Sequence, residues 1–182
     1  MTIVVAALLG YLLGAVSPAT LIARRHGVDL RGVGSGNPGA SNAGRAMGRR
    51  TGVGVAVLDV LKGLVVAAGF GVLDHRAGLV AGVAAVLGHV TSPFLRGRGG
   101  KGVATAMGAV LGVHPLWAPV VLVVWLVVLG LSRWIALASV LAALSVLAVA
   151  LVVREDVVWA AVLAAVVVVR HQANFLKRLA TG

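Results

Sequence analysis

The sequence contains no cysteine, five acidic residues, one tyrosine and only 12% charged side chains in 182 residues. Without cysteine there are no disulfides, no thiolate metal ligands and no cysteine nucleophile. A soluble domain carries about a quarter charged residues. The scarcity of charge here, with 60% hydrophobic residues and a mean hydropathy of +1.05, indicates an integral membrane protein of one domain, residues 1–182. Sixteen Lys and Arg against five Asp and Glu give a formal net charge of +11. No aromatic-studded basic surface of the kind that binds single strands accompanies that excess. Cytoplasmic loops of membrane proteins are routinely rich in Lys and Arg, so the expected partner is the bilayer and not nucleic acid. No H-E-x-x-H or H-x-E pattern is present, and neither a metal nor a cofactor is expected.

Residues 1–23 carry no charged side chain and no basic leader, which reads as a retained helix and not as a cleaved signal. Further apolar segments lie at 52–72, 77–92, 102–132, 134–153 and 157–170. A span needs about 20 apolar residues, so the 31 residues of 102–132 are too many for one, and His114-Pro115 punctuates their middle. Splitting there gives seven helices with the N-terminus outside and the C-terminus in the cytoplasm. Thirteen Lys and Arg then fall in inner loops against two, Arg76 and Arg154, outside, the bias expected of cytoplasmic loops. The expected fold is an all-α integral membrane protein, a seven-transmembrane-helix bundle. Gly10-x3-Gly14, Gly48-x3-Gly52, Gly78-x3-Gly82 and Gly108-x3-Gly112 are small-residue pairs that allow close helix approach.

Three polar motifs interrupt the apolar chain: GSGNPGASNAGR (Gly34 to Arg45), GRGGKGVAT (Gly97 to Thr105) and RHQAN (Arg170 to Asn174). The topology places all three on the cytoplasmic side. The first two contain G-x-G-x-x-G, yet neither follows a strand, so the dinucleotide reading fails its context. Gly100-Lys101-Gly102 lacks the Ser or Thr that a Walker loop needs after its lysine. What remains is the underlying physics: glycines free backbone amides to converge on an anion, and a following helix adds its positive end. Gly34, Gly36 and Gly39 are such positions in the first motif, where Ser35, Asn37, Ser41 and Asn42 add neutral donors and Arg45 a forked cation suited to phosphate. Gly99, Gly100 and Gly102 surround Lys101 in the second, with Thr105 one turn on. His171 and Asn174, at i and i+3, share a face of the last helix, with His171 a candidate proton acceptor. The bland alternatives are flexible loops anchored by interfacial cations and a surface histidine.

Other polar residues divide. Asp59 and Lys62 lie inside an apolar helix at a spacing that lets them neutralise each other; Lys62 reaching a ligand is the alternative. Ser17-Pro18 either kinks the first helix or presents a hydroxyl to the site. His89 ends a helix just ahead of the second motif and is placed to brace it. His26, His75 and His114 read as surface residues.

These motifs in this order resemble the bacterial acyl-phosphate:glycerol-3-phosphate acyltransferases, the PlsY family, over essentially the whole chain. The resemblance rests on Gly34-Ser-Gly-Asn-Pro-Gly-Ala-Ser-Asn42, Asp59-Val-Leu-Lys-Gly63, Gly88-His89, Gly99-Gly-Lys-Gly-Val-Ala-Thr105 and His171-x-x-Asn174, with Tyr11-Leu-Leu-Gly14 and Ser17 similar to the family's first helix. It implies a multi-pass enzyme of the bacterial plasma membrane with its site at the cytoplasmic face. An acyl group would pass from acyl phosphate to the 1-hydroxyl of glycerol 3-phosphate, giving lysophosphatidic acid and phosphate. Carried over, Ser35, Arg45, Lys101, His171 and Asn174 are the residues expected to touch substrate. Lys101 is assigned to the glycerol 3-phosphate side, and Ser35 with Arg45 to the acyl phosphate. The base is either His171 or the acyl phosphate's own oxygens, and similarity to the family favours the second.

The chain departs from the family at Gly97-Arg98, where phenylalanine-lysine is usual, at Arg133-Trp-Ile-Ala136, which loses a hydroxyl, and at Lys177-Arg-Leu179. Two other functions compete: a phosphate or organophosphate transporter, which should carry polar groups toward both faces, and a non-catalytic lipid-binding scaffold, which would not need His171 and Asn174.

Overall fold

A computed structural model of the chain describes residues 1–181, with no strand among them. The chain divides into two compact units, Met1–Val113 and His114–Gly182. The first holds α1 (Thr2–Ala15), α2 (Pro18–Arg25), α3 (Ala40–Met47), α4 (Arg49–Gly71), α5 (His75–Thr91), a 3-10 turn (Pro93–Leu95) and α6 (Val103–Val113). The second holds α7 (Ala118–Ser132), α8 (Ile135–Val153) and α9 (Val157–Thr181). Five stretches are long and apolar enough to cross a membrane: Thr2–Arg25, Arg49–Gly71, His75–Leu95, Ile135–Val153 and Val157–Ala180. α6 and α7 are apolar but shorter. The helix does break at His114-Pro115, where α6 ends and a turn leads to α7. The expected domain end, Gly182, lies outside the described residues.

Within the first unit α1 packs along α5, α4 lies between α5 and α6, and the short α3 rests on α4. Small residues make these approaches possible. A Cβ on Gly88 of α5 would run into the Tyr11 carbonyl of α1, and one on Gly14 into the backbone of Ala85, so the α1–α5 contact is backbone against backbone. Of the four expected glycine pairs, Gly48 alone has nothing near its missing Cβ; it caps α4 at φ 94° and turns the chain out of α3. Ala19, Ala23, Leu30, Ala43 and Val55 form the apolar cluster that holds α2, the loop after it and α3 against α4.

The second unit is two successive helix hairpins, α7 on α8 and α8 on α9. Arg133 and Arg154 end α7 and α8 in the left-handed conformation, at φ 51° and 63°. Trp134 after α7 packs on Phe175 of α9 with ring centroids 4.6 Å apart, and the Arg178 guanidinium lies 4.7 Å from the same indole. At the other end His114 stacks on Trp117, 3.8 Å away, and its Nε2 lies 2.8 Å from Asp156 Oδ2. The His114 side chain is 9% exposed, which corrects the expectation of a surface residue: the indole and the carboxylate cover it. His26 and His75 are exposed.

Candidate active site

The site begins with a broken helix. Pro18 has no amide hydrogen for the carbonyl of Gly14, and the Thr20 amide donates to Ser17 Oγ, 3.2 Å, instead of reaching back to Val16. Ser17 thus caps α2, as a serine before N1 commonly does, and this is the helix-break reading of Ser17-Pro18. The carbonyls released by the break find other donors. Ser92 Oγ donates to Ala15 O at 2.6 Å, and Lys62 Nζ to Val16 O at 2.8 Å.

Lys62 therefore does more than pair with Asp59. Its ammonium is hydrogen-bonded to Val16 O at 2.8 Å and His89 Nδ1 at 2.7 Å, and pairs as an ion with Asp59 Oδ1, 2.8 Å away. His89 Nδ1 also lies 3.4 Å from Asp59 Oδ1, so the lysine, the carboxylate and the imidazole meet at one point. Asp59, Lys62 and His89 are all buried. A lone charge in this position costs about 2.5–3.5 kcal/mol on insertion scales, and the cluster answers it with an opposite charge and oriented dipoles.

The second motif is built directly on this cluster. The amides of Gly99 and Gly100 donate to Val90 O and His89 O, both at 3.1 Å, taking up carbonyls that the end of α5 leaves without helical partners. A Cβ on Gly100 would collide with His89 Nε2 and one on Gly99 with the His89 carbonyl, so only glycine lets the loop lie this close. The two amides expected to converge on an anion are therefore spent on α5. The loop instead presents Lys101, half-buried, just ahead of the first turn of α6, where the helix's positive end lies. Thr105 is fully buried, and its Oγ1 has no hydrogen-bond partner among the described residues.

The first motif is organised from within. Asn42, 0% exposed, donates through Nδ2 to Leu30 O (2.9 Å) and Val33 O (3.0 Å) and accepts the Ser35 amide at Oδ1 (3.0 Å). All three contacts go to the loop's own backbone. Gly34 and Gly36 take φ of 60° and 66°, and a Cβ on Gly34 would strike Asn42 Oδ1 and lie 3.9 Å from Arg45 Cδ. The result is a fixed loop with Ser35 and Arg45 on its exposed side, Asn37 half-buried and Gly39 at the head of α3. Arg31 Nη2 donates to Leu95 O at 3.0 Å, tying the approach to the first motif to the turn before the second. The structure thus brings the first two motifs to the same end of the first unit.

The third motif belongs to the second unit. His171 is 2% exposed, and its Nδ1 lies 2.8 Å from the Val167 carbonyl one turn back. A carbonyl can only accept, so that contact puts the imidazole proton on Nδ1. Asn174 follows one turn on, half-buried.

Sequence reasoning did not find the buried connection from Val16 through Lys62 to His89, nor the inward commitment of Asn42. The first had a signal in Ser17-Pro18, since a helix broken inside an apolar segment must dispose of its carbonyls. The second had none.

An all-helical apolar chain with two rigid, cation-bearing glycine loops gathered at one end of a unit is a membrane protein equipped to handle anions. The comparisons sharpen that class. The family model described as glycerol-3-phosphate acyltransferase matches residues 4–182. The glycerol-3-phosphate acyltransferase of Geobacter sulfurreducens is 42% identical over 94% of this chain and 91% of its own, and that of Aquifex aeolicus 42% identical over 94% and 92%. Two crystal structures of PlsY, an integral membrane glycerol 3-phosphate acyltransferase, are similar throughout. Its glycerol 3-phosphate form gives a TM-score of 0.95 at 36% identity, covering 100% of this chain and 94% of that one. Its lysophosphatidic acid form gives 0.92 at 35%, covering 100% and 93%. This chain belongs to the glycerol-3-phosphate acyltransferase family.

Proposed function

We propose that this protein transfers a fatty acyl group from acyl phosphate to the 1-hydroxyl of glycerol 3-phosphate, releasing lysophosphatidic acid and inorganic phosphate. The hydroxyl oxygen forms a bond to the acyl carbon while the bond from that carbon to the phosphate oxygen breaks. The hydroxyl proton leaves with the departing phosphate, whose oxygens are near the attacking group in any in-place transfer; His171 is the alternative acceptor. No activated nucleophile is evident in the chain, so direct transfer is favoured over an acyl-enzyme. Lys101 at the head of α6 holds glycerol 3-phosphate, and Ser35 with Arg45 hold the acyl phosphate; both substrates are anions, and fixed cations offset their repulsion. Ser35, Arg45, Lys101, His171 and Asn174 are the residues assigned to this reaction, with 1–182 read as one acyltransferase domain.

The observation that carries this reading is the docking of the Gly99–Gly102 loop on the buried Asp59–Lys62–His89 cluster, in a chain of this family. Seven crossings follow if α6 and α7 are the two short ones, with the N-terminus outside and the motifs facing the cytoplasm of a bacterial inner membrane. With 11 residues at 1.5 Å rise, α6 covers about 17 Å of a roughly 30 Å hydrocarbon layer. Lys101 then stands below headgroup level, at a depth that an acyl chain reaches from the bilayer. A transporter has no such need for a rigid loop at one end.

The test is phosphate release from palmitoyl phosphate by purified protein in detergent, with and without glycerol 3-phosphate. Release that depends on glycerol 3-phosphate and matches lysophosphatidic acid formation supports the proposal. No release from folded protein, together with phosphate uptake into liposomes, would transfer the reading to transport.

A further inference from the structure

A cavity of about 660 Å³ opens in the first unit between α2, the loop that follows it and the 3-10 turn. None of Ser35, Arg45 or Lys101 lines it. Four arginines do, Arg24, Arg31, Arg96 and Arg98, with Asp29 the one carboxylate among them. Asp29 offsets one charge of the four and leaves a net positive excess: its Oδ1 accepts the Arg31 backbone amide at 2.9 Å, and among the described residues no arginine of the four is in an ion pair. Four like charges around one concavity raise each other's energy, and an anion placed between them removes that cost. Guanidinium forks match phosphate oxygens in geometry as well as charge.

The walls say more about the occupant. Much of the remaining lining is apolar, and Phe94, 63% exposed, stands at the cavity beside Arg96. α2 ends the stretch Thr2–Arg25, and the 3-10 turn ends the stretch His75–Leu95. The arginines therefore sit at or just beyond the ends of two apolar stretches, with an exposed aromatic ring and apolar side chains in the same wall. Arg24 also faces the negative end of α2, and Arg31 is engaged with Leu95 O. Arg96 and Arg98 have no side-chain partner among the described residues. Arg96 is held at φ 54° by a turn in which its amide donates to Pro93 O and the Gly97 amide to Ser92 O, a conformation uncommon for a residue with a side chain.

We infer that this cavity binds the phosphate of an anionic amphiphile, a phospholipid headgroup taken from the bilayer, beside the proposed transfer site, with Pro38 of the first motif and Arg98 of the second in its wall. The inference does not rest on the acyl-transfer reading. A free phosphate ester shares the recognised chemistry, and the apolar wall favours the lipid.

The test uses the full chain in neutral detergent, saturated with glycerol 3-phosphate to fill the proposed transfer site. Native mass spectrometry follows retention of dioctanoyl phosphatidic acid against dioctanoyl phosphatidylcholine. The wild type should retain the acidic lipid about tenfold more tightly or better, the scale of one or two charge-assisted hydrogen bonds. The R96Q/R98Q variant should lose that preference and R96K/R98K should keep most of it, which separates lost charge from lost fold. Displacement of the lipid by millimolar inorganic phosphate, dependent on the same two arginines, supports the phosphate site and assigns it to a soluble ester. A preference unchanged in R96Q/R98Q, or abolished in the wild type by glycerol 3-phosphate alone, overturns the proposal.

Discussion

The two glycine-rich loops of the first unit are made rigid in opposite ways. The Gly34–Asn42 loop is tied by one of its own side chains, Asn42, whose amide answers three backbone groups within 12 residues. The Gly97–Gly102 loop is held against another element. It borrows order from the end of α5, through two backbone hydrogen bonds and the near contact of Gly100 with the His89 ring. His89 is in turn fixed by Lys62, which reaches α1 at Val16. The first loop is a local object, whereas the second is the surface end of a polar network that runs into the bundle. A disturbance inside the membrane should reach Lys101 and leave Ser35 alone.

The largest effect expected from this contrast is that of Asp59→Asn. Removing one partner of a buried ion pair costs about 3–5 kcal/mol, and the variant should unfold at lower temperature or detergent denaturant. Because the sequence has no cysteine, single reporters are clean: with Asp59→Asn, labelling of a cysteine at Gly97 should rise while that of one at Ser41 stays constant. Equal change at both would show that the loops are not independent. Lys101→Ala comes next. It should lower kcat/KM about 10²–10³-fold, the scale of losing one electrostatic stabiliser, with normal insertion and thermal stability. His171→Ala should impair turnover comparably if it contacts substrate; near-normal rates in both variants would make them structural residues.

Gly100→Ala sharpens the comparison further. The added methyl meets the His89 imidazole, and a shift of about 1 Å in a positioned group can cost 10²-fold. Activity should fall together with about 1–3 kcal/mol of stability, the scale of overpacking a buried site, and His89→Ala in the same chain should restore part of the activity by vacating the space. Asn42→Ala should be smallest. Three backbone groups lose their partner at a surface loop, for about 1–3 kcal/mol, and the activity loss should appear mainly in the KM for acyl phosphate. A collapse of kcat alone would contradict the division of labour between the loops.

Legibility of this molecule followed hydropathy closely. The apolar runs predicted the positions of α4, α5, α8 and α9, and His114-Pro115 marked the end of α6. α3 was missed because eight residues with Gly44 and Arg45 carry no membrane signal, and Gly48 gave no hint that it turns the chain. α9 continues to Thr181, well past the apolar limit at 170, since hydropathy registers the bilayer and not the helix. Within the site, residue type identified Lys101, Arg45 and His171 as groups with chemistry to offer. It could not tell that Asn42 faces inward or that the Gly99 and Gly100 amides are already spent, because both depend on which backbone groups the fold leaves without partners. The arginines around the cavity were visible as charge, but concavity is not a property of sequence.

The polar network also has a history in each molecule made. α1 and α4 emerge from the ribosome before α5, so for a time Asp59 and Lys62 must enter the bilayer without His89. Their spacing of one turn lets them shield each other within a single helix, and Val16, whose carbonyl receives the lysine in the finished fold, precedes them in the chain. Arrival of α5 then completes the cluster and supplies the surface on which the Gly99–Gly102 loop settles. The same contacts that order the second loop in the finished protein thus keep it from settling until α5 has arrived.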